Sequence, residues 1–185
     1  MVSQGKLYVH KGPMFAGKTS LLLDLYRKSL ELGFSPLVIS HAIDTRYGKN
    51  YVISHDGKKA PCLSVTDLST VNLSGYHIVF LDEAQFMTDT LGFCNRALEL
   101  GKIVHVFGLD RDYLLREFRS VTQLYLIAEK PIDQLTAVCI RCGGDATCTA
   151  RITDNADRIM VGSDQYEARC EKCHTVPGQE ELQDK

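Results

Sequence analysis

Positive charge is not in excess in this sequence. Its 185 residues hold 21 Lys and Arg against 23 Asp and Glu, a formal net charge of −2 with His neutral. A chain so balanced has no global field to draw it onto a nucleic acid, and no nucleic-acid partner is expected. No apolar run approaches the ~18 residues that would cross a bilayer, so no membrane partner is expected either. The first ten residues, MVSQGKLYVH, lack the apolar core and small-residue cleavage site of a secretory signal. The expected location is cytoplasmic and reducing. Internal repeats and low-complexity segments are missing as well. What remains is a globular chain, 44% hydrophobic, long enough for one core domain and a small appendage.

Cysteine, by contrast, is plentiful at seven residues. In a reducing compartment, paired cysteines point to a metal before disulfides. Cys139-x-x-Cys142 and Cys170-x-x-Cys173 are separated by 27 residues. Two such pairs supply four thiolates for a tetrahedral Zn²⁺, and the chain between them becomes a loop anchored at both ends. The run CEKCH leaves His174 as an alternative to Cys173 for the fourth ligand; Cys173 completes the second pair. Four protein ligands leave no open coordination position, so this zinc would be structural. Cys148 has no partner at metal spacing, and Cys62 and Cys94 read as small buried apolar residues.

The front of the chain alternates between strand and helix signals. KLYVH (6–10) reads as a strand, SLLLDLYRKSLELG (20–33) as a helix closed by Gly33, and PLVIS (36–40) as a second strand. HIVFLDE (77–83) is an apolar run ending in acids. DTLGFCNRALELG (89–101) reads as a helix closed by Gly101, and KIVHVFGLD (102–110) as a strand. The stretch 41–75 is polar and irregular, a long loop with a short strand or two. This alternation predicts an α/β fold, a parallel sheet with helices on both faces. Residues 1–135 form the α/β domain and 136–175 the zinc lobe, and the polar tail 176–185 is expected to fray.

Between the first strand and the first helix lies HKGPMFAGKTS, with Gly12, four residues, then Gly17-Lys18-Thr19. Strand, loop and helix in that order are the context a phosphate-binding loop requires. Glycine permits the backbone shapes that turn peptide N–H groups inward, and the helix N-terminus adds partial positive charge. Lys18 would reach the β- and γ-phosphates, and Thr19 would offer its hydroxyl to Mg²⁺. The acidic strand end supports the pair: Asp82 would hold Mg²⁺, and Glu83 would face the γ-phosphate as a general base toward water or a substrate hydroxyl.

Six segments in order, GPMFAGKT, DTRYG, LDEAQF, GLDRDY, LTAVCIRC and CEKC, make the chain resemble the zinc-containing, cellular-type thymidine kinases from about residue 6 to 174. The resemblance implies a RecA-like phosphate-loop fold and ATP-dependent phosphorylation of the thymidine 5′-hydroxyl, giving dTMP and ADP, with deoxyuridine as a further acceptor. It implies that Glu83 is the catalytic base. Mg-ATP would be held by the loop residues Gly12, Pro13, Met14, Phe15, Ala16, Gly17, Lys18 and Thr19, by Asp44, Thr45 and Arg46, and by Asp82 and Gln85. Thymidine would be surrounded by Met14, Phe86, Leu109, Tyr113 and Phe118. It would also be covered by a lid carrying Thr149, Arg158, Ile159, Met160, Val161, Gly162 and Tyr166. By the same resemblance the chain would assemble as a homotetramer and be inhibited by dTTP. Two departures stand out. YLLREF (113–118) has no Pro before Phe118, and RIMVGSD has Val161 where a double glycine is common.

One reading from a different class competes, a DNA-processing ATPase with a zinc ribbon. Its motor would need a second core domain and a basic surface, neither of which the composition offers. A catalytically dead nucleotide-binding regulator is a third, at odds with intact Lys18, Thr19, Asp82 and Glu83.

Overall fold

Strand β1 (Lys6–Lys11) buries Leu7 and Val9 on one side and turns Tyr8 and His10 to the other, the two-residue period of a strand covered on both faces. The computed structural model describes residues 4–43, 50–154, 157–158 and 162–176. Asp44, Thr45, Arg46, Ile159, Met160 and Val161, and the tail beyond residue 176, lie outside the described residues.

Helix α1 (Lys18–Glu31) starts two residues earlier than leucine spacing suggests. Gly17 takes a left-handed φ of 73° and turns the loop directly into the first helical turn. At the other end Gly33 is left-handed, its N–H donating to the Leu30 carbonyl, while the Phe34 N–H donates to that of Ser29. Those are the two bonds of a Schellman stop. The same pair closes helix α2 (Thr90–Glu99), from Gly101 to Leu98 and from Lys102 to Ala97.

After α1 come β2 (Pro36–His41), β3 (Tyr51–Ile53), β4 (Lys59–Pro61) and β5 (Leu63–Val65). Strand β6 (Ile78–Leu81) precedes α2. Strand β7 (Ile103–Gly108), the short helix α3 (Arg119–Thr122) and β8 (Asp133–Gln134) follow it. The central sheet has the order β5-β2-β6-β7-β1-β8, and every neighbouring pair is parallel. Leu22 and Leu23 of α1 pack on Val38, Ile78, Phe80 and Phe107 of one face. Phe93, Cys94 and Ala97 of α2, with Val121 and Leu124, pack on Leu7, Val9, Ile39, Val79, Leu81, Val104 and Val106 of the other. The α/β expectation is borne out. Each fully buried Phe or Leu contributes about 1.5–3 kcal/mol, so these two layers supply most of the driving force.

The stretch 41–75 is richer than its polar sequence suggests. β3 and β4 form an antiparallel hairpin, and β5 extends the central sheet at its edge. Three-residue strands show no measurable alternation, and an edge strand with Leu63 half in solvent leaves no apolar run to read.

Beyond β8, the Leu135 N–H returns to the Lys11 carbonyl, and the chain enters a small cysteine-bearing lobe. Here β9 (Ala137–Val138) pairs antiparallel with β10 (Asp145–Ala146), and β11 (Cys148–Arg151) with β12 (Tyr166–Arg169). Cys139, Ala146 and Ala168 form its miniature core.

Candidate functional site

In a parallel sheet all carboxyl ends lie on one edge, and ligands bind in crevices there. A cleft of about 320 Å³ opens at that edge. The loop after β1 gives it Met14 to Ser20, and the β6 end gives Glu83, Gln85 and Phe86. The segment after β7 gives Leu109, Tyr113 and Phe118, and the cysteine lobe gives Thr149, Arg158, Gly162 and Tyr166. Of the described residues singled out from the sequence for nucleotide or nucleoside, all but three are therefore in one place. Gly12, Pro13 and Asp82 are buried and do not line it.

Each of those three has a local task. A Cβ on Gly12 would sit 2.5 Å from the Leu135 carbonyl oxygen, so glycine is required where the segment leading into the lobe crosses the loop. The carbonyls of Gly12 and Pro13 accept from the buried Lys18 ammonium at 3.0 and 2.7 Å, folding that side chain over its own loop. Asp82 is buried at the end of β6, and its Oδ1 accepts the Glu83 N–H at 3.1 Å.

Glu83 itself is held in a left-handed conformation, φ 52° and ψ 43°. A non-glycine residue pays strain there, which the surroundings must offset. Gln85 supplies part of that hold. Its amide donates to Glu83 Oε2, its Oε1 accepts the Leu109 N–H at 3.0 Å, and its backbone carbonyl accepts from the Ser120 hydroxyl. One glutamine thus ties the carboxylate to the ends of β6 and β7.

The turn after β7 is organised by Asp112, whose carboxylate is almost fully buried. Oδ1 accepts the N–H groups of Leu114 and Arg116, and Oδ2 takes the guanidinium groups of Arg116 (2.9 Å) and Arg158 (2.8 Å). Leu115 adopts a φ of 61°, and the Phe118 N–H closes the turn on the Asp110 carbonyl. The YLLREF departure is accommodated this way: with no proline, the turn is built on one buried carboxylate, and Tyr113 and Phe118 still reach the cleft wall. Arg158 also donates to the Glu117 carbonyl and lies 4.9 Å from the Phe118 ring centroid.

The lobe's four Sγ atoms, of Cys139, Cys142, Cys170 and Cys173, all lie within 4.8 Å of one another, with Cys142 and Cys170 at 3.7 Å. Thiolates at about 2.3 Å from a tetrahedral Zn²⁺ stand about 3.8 Å apart, so the group fits. Their electrostatics agree. Backbone N–H groups, that of Cys170 foremost, bring the Cys139 thiol down to about 6. Neighbouring sulfurs, with Cys170 first, push Cys173 up to about 12. Four thiolates this close require a cation. His174 is turned away, its Nε2 against the Tyr113 carbonyl at 3.1 Å, which decides the open choice in favour of Cys173. Cys94 is fully buried and Cys148 lies buried in β11, while Cys62 is only half-buried, against the α1 side of the core.

Sequence reasoning missed Ser20, Arg111, Asp112 and Ser163, and also Ile53, Ser54 and His55 of the β3–β4 hairpin, all of which line the cleft. The hairpin is fastened to α1 by Lys58, which bonds Asp24 at 2.9 Å and Asp56 at 3.1 Å. Its residues come from the irregular stretch, and no short-range pattern announces them.

A sequence model described as thymidine kinase matches residues 5–174. The thymidine kinase of fowlpox virus (strain NVSL) is 34% identical over 180 residues, covering 93% of this chain and 98% of the viral protein. Thymidine kinase a of Arabidopsis thaliana is 38% identical over 177 residues, 91% of this chain and 74% of the plant protein. The thymidine kinase of Oryza sativa subsp. japonica is 37% identical over 187 residues, 95% and 68%. The model and each of these relatives match nearly the whole chain, and the chain is therefore a member of the thymidine kinase family.

Proposed function

We infer that this chain transfers the γ-phosphoryl group of ATP to the 5′-hydroxyl of thymidine, with deoxyuridine as a second acceptor. The observation that carries the reading is the cleft itself. One wall is a glycine-bordered loop running into a helix N-terminus, a carboxylate stands at the next strand end, and aromatic side chains close the far side. Donor and acceptor share one chamber, as an in-line transfer needs.

The loop Met14–Thr19 takes the triphosphate on backbone N–H groups and the positive end of α1. Lys18 exchanges its bonds to the Gly12 and Pro13 carbonyls for phosphate oxygens. Thr19 and Asp82 would hold Mg²⁺, which when bound neutralises charge on the phosphates. Asp44, Thr45 and Arg46 complete the donor side in this reading. Glu83, oriented by Gln85, accepts the 5′-hydroxyl proton as the new O–P bond forms and the bond to the β-phosphate oxygen breaks, leaving dTMP and ADP. Phe86, Leu109, Tyr113, Phe118 and Tyr166 enclose the nucleoside, and in this reading the stretch Arg158–Gly162 would cover the base. Excluding water keeps the phosphoryl group for the nucleoside.

Cys139, Cys142, Cys170 and Cys173 would hold Zn²⁺ in a structural role, tying down both ends of the covering segment and making 136–175 a lobe distinct from the catalytic 1–135. Nucleoside pocket and phosphate loop are continuous, so dTTP fits the same cleft as a feedback inhibitor. Assembly as a cytoplasmic homotetramer belongs to the same reading and accords with exposed Leu30, Leu32 and Phe34 at the end of α1. Among the described residues no helix is long and apolar enough to cross a membrane.

The test is ADP release from Mg-ATP with each nucleoside added in turn. Stimulation by thymidine with dTMP in equal amount is the expected result. Stimulation by DNA, or by no nucleoside in zinc-loaded protein, would overturn the assignment.

A further inference from the structure

Arg151 does not line the cleft, yet it joins two residues that do. It sits on β11 with only 8% of its surface exposed. Its guanidinium carbon lies 3.9 Å from the centroid of the Tyr113 ring and 5.2 Å from that of Tyr166. Its Nη2 donates to the Tyr166 hydroxyl at 2.6 Å, and its Nη1 donates to the Asp157 carbonyl. A buried cation is costly unless such partners surround it, and a planar guanidinium suits aromatic faces and a fork of acceptors together.

The two tyrosines come from different parts of the fold. Tyr113 follows β7 of the central sheet, whereas Tyr166 opens β12 of the cysteine lobe. Arg151 is also two residues along β11 from Thr149, so the two share a strand face. The Thr149 hydroxyl accepts the Met14 N–H, at the other end of the same face.

We propose that Arg151 is a positioning residue for the acceptor nucleoside, clamping Tyr113 and Tyr166 into one wall. It rests on the reading of this cleft as a nucleoside site. The contacts above, to Tyr113, Tyr166 and the Asp157 carbonyl, lie at the nucleoside end of the cleft, so the effect is expected on thymidine first. Lysine at 151 keeps the charge and most of the stem but loses the planar face and the fork.

Steady-state kinetics of zinc-analysed wild type, Arg151→Met and Arg151→Lys decides the matter, with thymidine and ATP varied separately. Arg151→Met should raise the thymidine KM roughly tenfold or more, with kcat and the ATP KM within about threefold. Arg151→Lys should show the same split, at roughly threefold to fivefold. A merely structural role would move both KM values together or lower zinc content, and either outcome overturns the proposal. So does a thymidine KM within about twofold of wild type in the folded variants. If the Met variant is insoluble, the Lys variant decides alone. Wild type that shows no thymidine-dependent ADP release overturns the acceptor reading instead, a result separate from any behaviour of the variants.

Discussion

The backbone N–H of Met14 donates to the side-chain hydroxyl of Thr149 at 3.0 Å, across 135 residues of sequence. It joins the loop after β1 directly to β11 of the cysteine lobe. The two halves of the cleft therefore meet at this bond, and a change on either side is felt by the other. Thr149→Val keeps the shape and removes the acceptor. A partly buried N–H left unpaired costs about 1–3 kcal/mol. The KM values for ATP and thymidine should both rise, by roughly threefold to tenfold, with kcat less affected. An effect confined to one substrate would show that the bond does not couple the two sites.

Glu83→Gln preserves size and can still meet Gln85, but it cannot take a proton. Loss of kcat of roughly 10²-fold or more is expected, with both KM values within a few-fold of wild type. Single-turnover measurement of dTMP formation is the check. Near-normal turnover would assign the proton to another group.

Removing one thiol should separate the two substrates. Cys142→Ser takes a ligand from the four-sulfur group and should lose zinc by elemental analysis. Thymidine binding should weaken more than ATP binding, because the cysteine pairs flank the segment proposed to cover the nucleoside and lie far along the chain from the loop 12–19. Metal-free protein with an unchanged thymidine KM would contradict the proposed link.

His105 gives the fold a pH dependence of its own. It stacks on Tyr8, His10 and Phe80, and its Nδ1 lies 2.9 Å from His10 Nε2, while His10 Nδ1 meets Asp133 at 2.7 Å. Burial, and then the charge of His10, lower its pKa from 6.5 to about 4. Between those values the unfolded chain binds the proton that the folded chain refuses, so acid favours unfolding. Stability on this account is level above about pH 6.5 and falls as pH drops toward 4, by about 2 kcal/mol between pH 7 and 5. Urea melts of wild type and His105→Gln at the two pH values test it. The variant should lose most of this slope.

Legibility in the sequence followed the range of the signal. The loop 12–19, the strand ending in Asp82-Glu83 and the two Cys-x-x-Cys pairs each occupy a few consecutive residues, because phosphate, metal and thiolate geometry constrain neighbours along the chain. Helix stops at Gly33 and Gly101 were equally local. The hairpin that brings His55 to the cleft and the edge strand β5 left no such trace. Neither did Asp112, whose importance lies in partners at Arg116 and Arg158 that only a closed turn brings to it.

By itself, then, the sequence determined the α/β class, the loop-to-helix junction, the acidic strand end and the two Cys-x-x-Cys pairs. All of these rest on spacings of a few residues, where covalent geometry leaves little choice. Only the tertiary structure decided that Gly12 must be glycine because Leu135 crosses it, that Cys173 rather than His174 faces the other sulfurs, and that Arg151 lies between Tyr113 and Tyr166. Those relations depend on close packing between segments far apart in the chain, and packing is a property of the folded whole.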